Sequence, residues 1–311
     1  MKTFIHHNGA LGDLLLSLPC IRAIKEKSGL IHIACRADVG GLLRETRCVD
    51  EASSSDSSLY SSLYLTEADA KAARFLSGFD RAFIFTTQNN SELALAVGRI
   101  IRETRTIITV PPDGLKEHAE SFRLKQLAMA HEPQSRSPLL EIPSAYRASA
   151  KNILNGAGCS FDGTHLIALH PGSGGKRKSW PLENYLALAK KIIHLHNSFV
   201  LILSGPVEDA ATKKEIDDFT QKYDNAAHVQ DEELVMVAAL LSLCTLYIGN
   251  DSGISHLAGA VSSDVIVLFG PTDPAKWRPS GGRVQVISAG SLSAISVEEV
   301  YAVTKDHLTM I

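Results

Sequence analysis

Four glycine-containing segments of the chain place a titratable or anion-holding group where an apolar run meets an amphipathic one. The first, Asn8-Gly-Ala-Leu-Gly-Asp13, follows the opening apolar residues. Asp13 falls at the start of a helix, where a carboxylate either caps free amides or serves as a general base. The spacing is not that of a dinucleotide-binding G-x-G-x-x-G turn. The second, His170-Pro-Gly-Ser-Gly-Gly-Lys-Arg-Lys-Ser-Trp-Pro181, packs small residues before the cations Lys176, Arg177 and Lys178. Exposed amides, the Ser173 hydroxyl and converging positive charge suit an anion; a solvated basic loop is the plainer alternative. No Walker A spacing is present.

The third segment is Ile248-Gly-Asn-Asp-Ser-Gly-Ile-Ser-His256. Here a strand ends and a helix of small residues begins, so its amides and partial positive charge favour phosphate. Asp251 can orient the turn, Gly253 lets a ligand approach, and His256 projects one turn later. Asp251, Ser252 and His256 sit too close in sequence for a nucleophilic relay, and no G-x-S-x-G elbow occurs. The fourth, Phe269-Gly-Pro-Thr-Asp-Pro274, ends a strand in a rigid turn.

The elements that position these groups alternate. Strands are expected at Thr3–His6, Leu30–Cys35, Arg81–Thr86 and Thr106–Val110, with helices at Asp13–Lys27, Val39–Arg47, Glu92–Arg102 and Glu117–Ala130. Ser53–Ser62 reads as a surface loop, and His131–Pro143 has linker composition. A helix at Ser144–Asn155 precedes strands at His165–Leu169, Phe199–Leu203, Thr245–Ile248 and Val265–Phe269, and Val297–His307 reads as a final helix. Strand–helix alternation implies βαβ units and parallel sheets. The reading is an α/β chain of two Rossmann-like domains, 1–145 and 146–311, with ligands at the C-terminal strand ends in a cleft between them.

Composition narrows the partners. With 311 residues, 45% hydrophobic and a formal net charge of −3, the chain has material for two cores and lacks the basic excess of a nucleic-acid binder. Its five cysteines are scattered without metal-ligand spacing, as expected of reduced thiols in a cytoplasmic protein. The start reads as a strand running into Asn8-Gly9, so no signal peptide is expected. No run is long enough to span a membrane, which leaves only peripheral contact with the inner face.

Taken together, Leu11-Gly-Asp-Leu, His170-Pro-Gly-Ser with Lys178-Ser-Trp-Pro, Asn250-Asp-Ser-Gly-Ile-Ser-His-Leu-Ala and Phe269-Gly-Pro-Thr-Asp-Pro resemble the lipopolysaccharide heptosyltransferases of glycosyltransferase family 9. Phe79-Asp80, the His118…Arg123 stretch and Gly205-Pro-Val-Glu208 are weaker echoes. The resemblance implies the GT-B fold, with the acceptor on the N-terminal domain and the donor on the C-terminal one. It implies inverting, metal-independent transfer of heptose from ADP-heptose to a lipopolysaccharide core-type acceptor, with no cofactor beyond the nucleotide sugar. By position, Asp13 would be the base. Ser173, Lys178, Asp251, Ser252, Gly253 and His256 would hold the diphosphate, and Glu208 the ribose. The absence of a D-x-D motif agrees with metal independence. One departure stands out: His6-His7-Asn8 occupies the place where the family pattern has a basic residue. A sugar-nucleotide epimerase of the same fold, or a non-catalytic nucleotide-sugar binder, are the competing readings.

Overall fold

A computed structural model of the chain describes residues 1–64, 69–88, 91–127, 138–195 and 197–309. It divides into two compact units, Met1–Pro133 and Gln134–Ile311. That division lies before the 145/146 boundary expected from sequence. The reason is local: the Leu139 and Leu140 amides both donate to the Ala260 carbonyl, and helix Ser144–Gly156 packs on helix Leu234–Leu241, so this stretch belongs to the second unit. Most of the expected linker lies outside the described residues.

The first unit is built on strands β1 (Lys2–His7), β2 (Leu30–Cys35), β3 (Glu51–Ser54), β4 (Arg81–Thr86) and β5 (Glu103–Ile108). They form one sheet of order β3-β2-β1-β4-β5, every pair parallel. The second unit contains β6 (His165–His170), β7 (Ser198–Ser204), β8 (Ala226–Gln230), β9 (Leu246–Asn250), β10 (Asp264–Phe269) and β11 (Val284–Ser288). Their order is β11-β10-β9-β6-β7-β8, again all parallel. The central strands are near-continuous apolar runs because helices cover both faces; in β7 every residue is buried.

Two expectations change. The single helix read over Asp13–Lys27 is two, Leu11–Leu15 and Leu18–Glu26. Pro19 cannot donate to Leu15, and its ring crowds that carbonyl, so the chain passes through a tight turn at Leu16-Ser17. This break matters for the site, because it turns Ser17 inward beneath Asp13. The Ser-rich stretch is likewise ordered: β3 pairs with β2, and Ser58–Ser61 is helical. Ser53 is structural, its hydroxyl bonding both the His32 ring (2.8 Å) and the Tyr60 hydroxyl (2.6 Å).

In each sheet the chain reverses its direction of winding beside the first strand, between β1 and β4 and between β6 and β9. These are topological switch points, where ligands bind in open α/β sheets. The Asp13 turn follows β1, the basic loop follows β6 and the Asp251 turn follows β9. All five cysteines are buried and free. Among the described residues no helix is long and apolar enough to cross a membrane.

Candidate active site

At the switch point of the first unit, β1 ends in His7, and Gly9 brings the chain under the carboxylate of Asp13. A side chain at Gly9 would collide with Asp13 Oδ2, so the glycine is what allows the acid to lie over the turn. Asp13 is held from below by Arg123, a fully buried residue of helix Ala119–Gln126. Arg123 donates to Asp13 Oδ1 and, through Nη1, to the Asp13 carbonyl (2.5 Å) and Ser17 Oγ (2.7 Å). Its Nε and Nη2 donate to the Thr109 carbonyl after β5, at 2.9 and 2.7 Å. A planar, five-donor guanidinium used in this way fixes both the rotamer and the backbone of the acid.

That grip occupies Oδ1. The second oxygen, Oδ2, lies 3.9 Å from His7 Nε2, and the Asp13 side chain keeps 25% of its surface exposed. His7 is neutral here. The Gly9 amide donates to His7 Nδ1 (3.2 Å), so the proton sits on Nε2, which donates to Ser17 Oγ at 3.0 Å. Burial pushes the His7 pKa down to about 4 against the opposing pull of Asp13. Above Asp13 opens a pocket of about 420 Å³ lined by His6, Asn8, Thr86, Gln88 and Glu92 among others. The arrangement is that of a carboxylate with one oxygen pinned and one turned toward a ligand-sized space, the geometry a general base needs.

The second unit repeats the opening and changes the chemistry. β6 ends in His170, and Gly172 lies against the Glu208 carboxylate, leaving no room for a side chain at that position. Glu208 is held by the Gly205 amide, which donates to Oε2 at 2.6 Å. His170 is again buried and neutral, its pKa pushed down to about 4 by desolvation. The basic loop is stapled by Asn250, whose amide donates to the Pro171 carbonyl (2.8 Å) and whose Oδ1 accepts from the Trp180 amide (2.9 Å). Ser173 Oγ donates to the Gly175 carbonyl (2.8 Å) and meets Ser179 Oγ (2.8 Å), so its hydroxyl shapes the loop's own turn.

Lys178 and Asp251 come together across the switch point. Lys178 Nζ lies 2.9 Å from Asp251 Oδ2, which also accepts from Thr272 Oγ1 at 2.6 Å. Asp251 is nearly buried while 39% of the Lys178 side chain remains exposed, so the cation is positioned without being enclosed. Helix Gly253–Ala260 starts beside it. Ser252 occupies the N-cap position and its side chain makes no capping bond. The helix start is anchored from beneath instead, by Ser255 Oγ donating to the Asn250 carbonyl (2.5 Å) and meeting the Tyr247 hydroxyl (3.1 Å). First-turn amides with a lysine alongside have the chemistry to hold an anion. His256 is buried in the same helix, one turn on.

The structure thus gathers Lys178, Asp251, Ser252, Gly253 and His256 at one switch point, with Ser173 and Glu208 on the adjoining loops and Asp13 in the other unit. Sequence reasoning missed Arg123, Ser17 and Thr109 beneath Asp13, and Asn250 and Thr272 around the basic loop. For Arg123 a signal existed in the His118…Arg123 stretch, and for Asn250 and Thr272 in their motifs. Ser17 and Thr109 carry no signal, since only folding brings them near. Among the described residues no group of three His, Cys, Asp or Glu side chains is placed to hold a metal ion.

Two Rossmann-like parallel sheets with their open side chains at the switch points are the architecture of the GT-B fold class. Within that class the chain belongs to glycosyltransferase family 9, the heptosyltransferases, whose family model matches residues 120–305. Lipopolysaccharide heptosyltransferase 2 of Salmonella typhimurium is 29% identical over 126 residues, 39% of this chain and 36% of the relative. Lipopolysaccharide heptosyltransferase 3 of Escherichia coli is 30% identical over 129 residues, 41% of this chain and 38% of the relative. Each alignment therefore spans little more than a third of the relative's length. The fold extends further. A family 9 glycosyl transferase from Veillonella parvula superposes with a TM-score of 0.80 at 18% identity, covering 100% of this chain and 97% of that one. The E. coli ADP-heptose heptosyltransferase II gives 0.79 at 18% identity, covering 100% and 99%.

Proposed function

We propose that this chain is an inverting transferase that moves a heptosyl group from ADP-heptose to a saccharide acceptor of the lipopolysaccharide core type. The observation that carries the reading is the carboxylate of Asp13, pinned by buried Arg123 through one oxygen and open to a pocket through the other. Family membership supports the donor, and one E. coli relative of the same fold was solved with ADP.

The chemistry divides between the units. As the glycosidic bond to the leaving diphosphate breaks, positive charge grows on the sugar ring and negative charge on the phosphate. Lys178 and the first-turn amides of Gly253–Ala260 meet that negative charge, so the chain itself supplies the electrostatic stabilisation, with no further cofactor in the scheme. Glu208, beside Gly172, takes the ribose hydroxyls as acceptor of their hydrogen bonds. Asp13 Oδ2 accepts the proton of the attacking hydroxyl, and the single displacement inverts the anomeric carbon. The acceptor being glycolipid-borne, the enzyme works at the cytoplasmic face of the inner membrane by peripheral contact.

The test is product analysis by mass spectrometry with ADP-heptose, first alone and then with a core oligosaccharide. A heptosylated product and free ADP only in the presence of acceptor support the reading. An isomerised sugar nucleotide from donor alone would replace it with the epimerase.

A further inference from the structure

The pocket above Asp13 has a charge character that bears on what enters it. Its charged lining groups are Asp13 and Glu92, both acidic, set among Asn8, Thr86, Gln88 and Ser91; among the described residues no lysine or arginine lines it. A second hollow of about 380 Å³ shares Asn8 and adds Ser55, Asp56 and Ser61, again an acid and no base. Arg123 offers no free charge, because it is buried and committed to Asp13, Ser17 and Thr109. The lining histidines supply none either, since burial pushes the pKa of both His6 and His7 down to about 4. A phosphate or carboxylate entering here would leave water to face carboxylates without a counter-charge. A sugar bearing only hydroxyls would find amides and hydroxyls of matching chemistry.

We propose that this pocket selects an uncharged, hydroxyl-rich sugar as the acceptor unit. The inference rests on the transferase reading above and narrows it: the sugar unit seated at Asp13 carries neither phosphate nor carboxylate, whatever the rest of the acceptor bears.

Calorimetry on the full chain tests this with a panel of heptose- and hexose-terminated oligosaccharides, each paired with a twin phosphorylated on the terminal sugar. The neutral members should bind at least ~10-fold more tightly than their twins. Tighter binding of the phosphorylated twins, or binding of neither set, overturns the proposal. Exposed Glu92→Lys provides the second arm. It should shift the neutral-to-phosphorylated ratio toward the phosphorylated twin by ~10-fold, and an unmoved ratio overturns the charge argument. An ADP titration of the same samples separates the two readings. ADP binding with anionic preference sinks this inference alone, whereas a wild-type chain that binds no ADP sinks the transferase reading.

Discussion

The two switch points begin alike and end in different chemistry. In each unit the first strand ends in a buried, neutral histidine, His7 or His170, followed two residues later by a glycine lying under a carboxylate. From there they diverge. Around Asp13 the cation, Arg123, is buried and fully bonded, so the site presents a carboxylate oxygen and no positive charge. Around Asp251 the acid is the nearly buried partner and the cation, Lys178, is left partly exposed beside a helix N-terminus. The same ion-pair chemistry, with the burial of its members exchanged, leaves a carboxylate oxygen open in one site and a cation open in the other, which the proposed function uses as proton acceptor and anion holder.

The sharpest way to break that comparison is at the acids and bases themselves. Asp13→Asn keeps the shape and the Arg123 contacts but removes the base, and should lower kcat by roughly 10³-fold with ADP affinity, measured by calorimetry, unchanged. Lys178→Ala should act in the reverse sense, weakening ADP by about 10- to 100-fold. The paired glycines sharpen the contrast. Gly9→Ala forces the Asp13 carboxylate aside and should cost roughly 10²-fold in kcat, whereas Gly172→Ala should act on ADP binding through Glu208. Equal effects of the two on ADP affinity would show that the sites do not divide the work.

Stability tests the buried halves of the same comparison. Arg123→Met leaves the Asp13 carboxylate and the Thr109 carbonyl without their donor, and should cost about 3–5 kcal/mol in chemical denaturation. The histidines predict a pH dependence. His6, His7 and His170 have folded-state pKa values near 4, below the ordinary 6.5. Between those values the unfolded chain binds protons that the folded chain refuses. Their contribution is therefore complete above pH 6.5 and is lost as pH falls toward 4, by up to about 3 kcal/mol for each histidine. A denaturation midpoint that stays flat from pH 7 to pH 4.5 would contradict the neutral, buried assignment.

Much of this was legible in the chain. The order of apolar runs gave parallel α/β units, because strands buried on both faces must be continuously apolar. The gathering of Lys178, Asp251 and the Gly253 helix start was legible because glycine, serine and lysine crowd into short segments at strand ends. Other parts were not. The helix break at Pro19 was readable from proline chemistry, yet the periodicity of Asp13–Lys27 hid it. Ser53–Ser62 reads as a loop because serine carries no apolar period, although Ser53 bonds the His32 ring and the Tyr60 hydroxyl and Ser57 caps helix Ser58–Ser61. The edge strands β8 and β11 carry little apolar signal, since they are partly exposed. Arg123 reaches Asp13 from 110 residues away in sequence, a contact set by packing alone.

The account turns on a single displacement, in which Asp13 takes the proton while the diphosphate leaves from the other unit. NMR of the anomeric proton and carbon of the transferred heptose, compared with those of the ADP-heptose supplied, tests it most directly. Inversion of the anomeric configuration is the predicted result; retention would require a covalent or front-face route and would contradict the role given to Asp13.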